Sequence, residues 1–294
     1  MNTQEFTLPG GYIDAQGQVH KTVILDALGG REEELLAEQH DASAMLVTEL
    51  LTRCVKQIGS IGPMTHDIAR ALLVADREFI LLMLRQLTFG DKVEATLPCP
   101  WPDCHQNIDI DFAISSIPIT GLSDIAPYYE CDLQDEITQA NTKIQFRLPN
   151  GADLEYLATQ QNTNQAKVIS QLLQRCISCL GDLLSPSLDD IQDLPANTRA
   201  KIEQAMESIA PNLDLTMELT CPECKRSFIA PFELQDFFFG ELRTHIDLLY
   251  REIHYLAFHY HWSEEELMRM PRRRRRQYIR VLSEEIESMN DALN

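Results

Sequence analysis

Two short cysteine turns lie far apart in this chain, Cys99-Pro-Trp-Pro-Asp-Cys104 and Cys221-Pro-Glu-Cys224, and no other feature restricts the fold as strongly. Each turn follows a strand-like run, 93–98 and 213–220, and leads into another, 107–112 and 227–232. Proline-containing turns between such runs read as β-hairpin tips. Zinc takes four tetrahedral thiolates at about 2.3 Å, and a Cys-Pro-x-Cys turn presents two of them while its N–H groups face the sulfurs. Cys99, Cys104, Cys221 and Cys224 are therefore the candidate ligands of one structural zinc ion, each turn supplying half of a zinc-ribbon-like unit. Four thiolates leave no open coordination position, which separates a structural ion from a catalytic one. The competing reading is four ordinary buried thiols, since free cysteine is a commonly buried residue type. His105 is a possible substitute ligand, but beside Cys104 on an outgoing strand it reads as an exposed polar residue.

The expected fold class is α+β and predominantly helical, with the zinc-ribbon-like β unit interrupted by a helical insert and followed by a helical C-terminal region. At 294 residues the chain is long enough for one large or two modest domains with a true core. Three regions are expected: an N-terminal hairpin and helices over 1–92, the cysteine unit over 93–232 with its insert at 113–212, and helices over 233–294. Gly10-Gly11, the turn at 15–18 and the alternation Val19, Lys21, Val23, Leu25 predict a β-hairpin over 8–27. Apolar periodicity predicts helices over 31–37, 41–58, 66–89, 152–158, 162–180, 196–209 and 236–262. In the helix over 66–89, Asp76, Arg77, Arg85 and Gln86 fall outside the apolar stripe. Residues 113–141 read as an irregular acidic loop with at most a short strand, 143–148 as a strand and 182–195 as a linker. Ser263-Glu264-Glu265-Glu266 is a capping box, and Pro271 ends or kinks that helix before another over 272–289. The one repeat apparent in the sequence is the strand, cysteine turn, strand unit at 93–112 and 213–232.

Charge limits the partners. With 25 Lys+Arg against 45 Asp+Glu the net charge is -20, which disfavours sequence-independent binding to phosphate backbones or anionic membranes. The start MNTQEFTLPGG lacks a signal-peptide pattern, and eight cysteines in this length do not make a disulfide scaffold, so a reducing, cytoplasmic setting is expected. No run approaches the roughly 18 apolar residues of a membrane span.

The remaining motifs are weaker. Cys176-Ile177-Ser178-Cys179 sits late in an expected helix, without the helix N-terminus that activates thioredoxin-type thiols, and reads as packing. Cys54 falls on an apolar helix face and Cys131 in an acidic loop. His254, His259 and His261 do not converge, because at about 100° per residue His259 lies roughly 160° from His261 on a helix. The run Arg272, Arg273, Arg274, Arg275, Arg276 is the one local basic exception, with Trp262 just upstream. It reads as a solvated helix with ion pairs to the later glutamates, as a contact for an acidic protein, or as a nucleic-acid patch. A zinc-ribbon nucleic-acid-binding regulator built on that run is the alternative function. No G-x-S-x-G, P-loop, Rossmann glycine triplet or H-E-x-x-H is present, so no enzyme constellation is expected.

Several segments together carry a family resemblance. Arg31-Glu32-Glu33-Glu34-Leu35-Leu36, Leu73-Val74-Ala75-Asp76-Arg77-Glu78-Phe79, Leu87-Thr88-Phe89-Gly90-Asp91, the Cys99 to Cys104 turn and Leu148-Pro149-Asn150-Gly151-Ala152-Asp153-Leu154 look like the T-even phage baseplate hub assembly chaperone family. The ending His259-Tyr260-His261-Trp262-Ser263-Glu264-Glu265-Glu266-Leu267, followed by arginines, resembles a helix pair in phage tail assembly proteins and their relatives in contractile injection systems. The resemblance covers most of the chain. It implies a non-enzymatic protein that helps to assemble the baseplate hub, or sits in it, in a phage or phage-derived injection particle. Its partners would be hub or other tail proteins, with no small-molecule substrate.

Overall fold

The computed structural model describes residues 3–38, 43–134, 141–160, 164–244 and 246–293. The chain opens with the expected hairpin, β1 (Thr3–Ile13) and β2 (Val19–Asp26), and then α1 (Gly30–Glu38). Next comes α2 (Ala44–Cys54), but the helix expected over 41–58 stops at Cys54, and Val55–Ile58 forms β3, pairing antiparallel with β2. The helix expected over 66–89 is likewise two helices, α3 (His66–Ala71) and α4 (Val74–Phe89). Leu72 and Leu73 between them are extended, with ψ of 140 and 150, because their backbone is engaged elsewhere: Gly151 N donates to Leu72 O and Val74 N to Pro149 O.

The first cysteine hairpin follows as β4 (Lys92–Pro98) and β5 (Asn107–Ala113), and then the short β6 (Ile119–Thr120). The expected loop at 113–141 also contains β7 (Tyr129–Gln134), which pairs with β8 (Asn141–Phe146). Then come α5 (Gly151–Thr159) and α6 (Gln165–Cys176). The helix expected over 162–180 ends at Cys176, where Ile177–Leu180 leaves as β9 to pair with β8. Residues 182–195 hold β10 (Leu183–Leu184) and α7 (Leu188–Gln192), and α8 (Ala196–Ile209) matches its expected bounds. After β11 (Asn212–Leu213) the second cysteine hairpin is β12 (Thr216–Thr220) and β13 (Ser227–Pro231). The end of the chain is α9 (Leu234–Thr244), α10 (Ile246–Tyr260), α11 (Glu264–Met268) and α12 (Arg272–Leu293); the helix expected over 236–262 falls on α9 and α10, with residue 245 outside the described residues. The class is mixed α+β.

The fold repeats itself well beyond the cysteine turns. In the sheets β1-β2-β3 and β10-β9-β8-β7 the central strand pairs in the same register, Val23, Ile24 and Leu25 with Ile58, Gln57 and Val55, and Ile144, Gln145 and Phe146 with Leu180, Cys179 and Ile177. Even the irregularity, before Leu25 and before Phe146, coincides. The helices entering β3 and β9 end alike, Leu50-Leu51-Thr52-Arg53-Cys54 and Leu172-Leu173-Gln174-Arg175-Cys176. Hairpin, helix pair, third strand, short helix, long helix and cysteine hairpin thus occur twice in order.

The short-helix to long-helix step occurs a third time, as α11 and α12. Each short helix starts at a hydroxyl cap, Thr65, Ser187 or Ser263, whose oxygen accepts from the N–H three residues on. Each long helix follows a hinge residue at the same spacing, Leu73, Pro195 or Pro271, and has an arginine one turn in, Arg77, Arg199 or Arg275. These arginines reach back to the helix that precedes the short one, α2, α6 or α10: Arg77 Nη1 to Thr48 Oγ1 at 3.0 Å, Arg199 Nη1 to Ser170 Oγ at 2.9 Å, and Arg275 Nε to Glu252 Oε2 at 3.0 Å.

The main core gathers the first sheet, α1, α2, α4 and α9 around Leu25, Leu36, Leu50, Leu82 and Phe238, each buried. Burying such a side chain is worth about 1.5–3 kcal/mol. A second core lies around Phe146, Ile144 and Ile202, and a third, formed by α10, α11 and α12, around Leu256 and Leu267. Helix α4 is enclosed on every side, so Asp76, Arg77 and Arg85 are buried rather than on the outer face expected of them. Each is paired: Asp76 accepts the N–H groups of Gly10 and Gly11 in a β1 bulge, Arg77 holds α2, and Arg85 forks onto Glu241 of α9 at 2.9 and 3.1 Å.

Candidate metal centre

Each cysteine turn builds the same local geometry. Cys99 N donates to Gln106 O and Cys221 N to Arg226 O, closing the two hairpins at 2.8 and 3.1 Å. The residue after each second cysteine, His105 or Lys225, is left-handed, with φ of 52 and 59. The His105 side chain is exposed and outside the sulfur cluster. The hairpins form two separate two-stranded sheets, and they share the sulfur cluster rather than a strand ladder.

The four sulfurs lie within 4.8 Å of one another. Cys99 Sγ is 3.8 Å from Cys224 Sγ, and Cys104 Sγ is 3.7 Å from Cys221 Sγ. Sulfurs at about 2.3 Å from a shared tetrahedral ion stand about 3.8 Å apart, so these edges fit that donor set, and all eight cysteines are free thiols. The N–H groups of Cys224 and Glu223 bring the Cys221 thiol down to about 7, while burial takes that of Cys99 up to about 12. A bound cation deprotonates coordinating thiols outright. The set could hold one metal ion, and no other group of three or more such side chains converges among the described residues.

Around the thiols lies a small apolar cluster of Ile108, Ile110, Trp101 and Phe228. Arg226 caps it, pairing with Asp103 and lying over the Trp101 ring at 5.1 Å. Phe112 and Phe232, at the bases of the two hairpins, meet edge to face at 5.1 Å and join this cluster to the main core. One hairpin comes from each repeat, so an ion here would tie the repeats together at their tips.

The other sequence candidates fall elsewhere. Cys176 is buried beside Asp153, its thiol pushed up to about 12 by burial, and Cys179 donates to Gly181 O at 3.0 Å. Cys54 is buried, and burial raises its thiol strongly. Cys131 lies on β7 rather than in a loop. His254, His259 and His261 are exposed and form no cluster. Trp262 is half-buried, stacked on Tyr260 at 4.7 Å and edge-on to Tyr278 at 4.9 Å.

The arginine run is divided by its helix. Arg275 is fully enclosed between Glu33 and Glu252, and Arg272 is buried against Glu33 with its guanidinium over the Phe89 ring at 4.8 Å. Arg276 is half-exposed and bonds Glu252, while Arg273 and Arg274 face outward. The sequence reading missed Glu33 and Glu252 as the partners. The signal available was the shared spacing that places Arg275 with Arg77 and Arg199.

No helix among the described residues is long and apolar enough to cross a membrane. No curated protein and no solved structure matches the chain. Residues 243–294, which contain α10, α11 and α12, match a family of unknown function. Residues 17–239, which hold all of the two repeats except the first strand β1, and all four clustered cysteines, match the family described as T4 bacteriophage base plate protein. The chain therefore belongs to the T4 bacteriophage base plate protein family.

Proposed function

We propose that this protein is a non-enzymatic assembly factor for, or component of, the baseplate hub of a phage tail or phage-derived contractile injection system, stapled by one structural zinc ion. The observation that carries the reading is the placement of four convergent thiols, two from each repeat, inside a baseplate-family match over 17–239. Four thiolates fill a tetrahedral ion, so a zinc here would serve folding and leave no position for substrate. The two knuckle-like turns support a zinc-ribbon-like description, and the partners would be other baseplate or tail proteins.

The outward Arg273 and Arg274, with Trp262 near them, are the proposed contact for an acidic protein surface. Nucleic-acid binding is the weaker reading, because Arg272 and Arg275 are turned inward onto carboxylates and the net charge is -20. Mass spectrometry of finished particles separates the two roles. Stoichiometric presence identifies a component. Absence from the particle, together with failure of particles to form when the protein is deleted, identifies an assembly factor. Normal particles after deletion contradict both.

A further inference from the structure

The three hinges Leu73, Pro195 and Pro271 are built alike, and two of them are covered by the same kind of segment. At Leu73 the cover is the strand-to-helix turn before α5: Leu73 bridges Asn150 antiparallel, and a Cβ on Gly151 would stand 2.3 Å from Arg77 Nη1. At Pro271 the cover is the turn before α1: Gly29 bridges Pro271 antiparallel, and a Cβ on Gly30 would stand 2.9 Å from Met268 Sδ. Both incoming helices begin with glycine, because a side chain there would strike the hinge unit. Both then place a carboxylate on it, Glu155 to Arg70 at 2.7 Å and Glu33 to Arg275 at 2.8 Å.

Pro195 has no such cover among the described residues. Among the described residues no bridge reaches it, Pro195 is exposed, and Arg199 is half-exposed with its guanidinium bonded to Ser170 alone. Its two equivalents, Arg77 and Arg275, are buried.

We infer that the hinge at Pro195 is a docking site for a strand-to-helix turn of another protein, one with glycine at its first helical residue and a carboxylate about one turn later. Both turns of this kind among the described residues are engaged internally, which assigns the occupant to a different protein rather than to a second copy. The incoming turn adds an antiparallel bridge at Pro195, its glycine lies against Arg199, and its carboxylate pairs with that guanidinium. The guanidinium–carboxylate bond is charge-assisted and its fork geometry adds orientation to the contact. The inference rests on the three hinges and is independent of metal and of the protein's presence in finished particles.

The test uses the full chain and a labelled synthetic peptide with the sequence of residues 141–160, which carries the cover found at Leu73. The expected result is saturable one-to-one binding, weakened roughly tenfold or more by Arg199→Glu or by Pro195→Tyr. A peptide carrying Gly151→Val should bind the unaltered protein at least tenfold more weakly. This peptide arm stands even if a protein variant fails to fold. Absence of saturable binding, equal binding of the two peptides, or binding unchanged in folded variants overturns the inference. Self-association abolished by Pro195→Tyr also overturns it, by giving the site to a second copy.

Discussion

Arg275 of α12 donates to Glu33 of α1 at 2.8 Å, across 242 positions of sequence, and neither side chain is more than marginally exposed. This contact fastens the last helices to the first repeat, and the neighbouring bond to Glu252 ties α12 to α10. Removing one partner of a buried ion pair leaves an uncompensated charge and costs about 3–5 kcal/mol. Arg275→Ala should therefore lower stability by that amount, read by urea denaturation with Trp262 fluorescence reporting on the terminal helices. Arg273→Ala, at an exposed position of the same run, should change stability by less than about 0.5 kcal/mol.

Asp76 gives a pH dependence of definite sign. Burial raises its carboxyl from 3.8 to about 6, although the Gly10 and Gly11 N–H groups pull the other way. The folded state thus holds the proton more tightly than the unfolded chain. Between those two values rising pH removes stability from this group, on the order of 3 kcal/mol in all, with no further loss above the upper value. Carboxyl NMR should show one midpoint near the raised value, absent in Asp76→Asn.

Gly151 and Gly240 separate crowding from helix propensity. Alanine in place of a helical glycine usually stabilises by about 0.5–1 kcal/mol. Gly240→Ala should do so, since a Cβ there meets nothing within 4 Å. Gly151→Ala should instead destabilise by about 1–3 kcal/mol, because its Cβ would strike the Arg77 guanidinium and force it off Ala69 O and Thr48. Thermal unfolding of both variants tests the opposite signs.

How far the sequence could be read depended on whether a feature was fixed locally. The cysteine hairpins were legible because ligation demands given residue types in a turn. The start of α11 was legible through the Ser263 capping box. Strands β3 and β9 were not, since short apolar runs that follow a helix without a turn residue continue the helical period equally well. The break at Leu72 and Leu73 carries no proline or glycine and is set by hydrogen bonds with residues 149–151, Gly151 N donating to Leu72 O and Pro149 O accepting from Val74 N. The burial of Asp76, Arg77 and Arg85 was hidden for a related reason: their partners lie on β1, α2 and α9, which no local pattern connects.

Removing one ligand should loosen the hairpin tips while sparing the cores. Cys221→Ser should bring proteolysis within 93–112 and 216–231 at a protease level that leaves the original protein intact, since the cluster around Ile108 is small without a tie. Equal resistance in the two proteins would show that the tips hold without one.

The most direct test of a structural zinc shared by the two repeats is X-ray absorption at the zinc edge on purified protein. One zinc per chain with four sulfur neighbours at about 2.3 Å is the expected result, lost in Cys221→Ser. A protein free of zinc that folds unchanged in chelator, or a zinc with nitrogen or oxygen neighbours in place of one or more sulfurs, would contradict it.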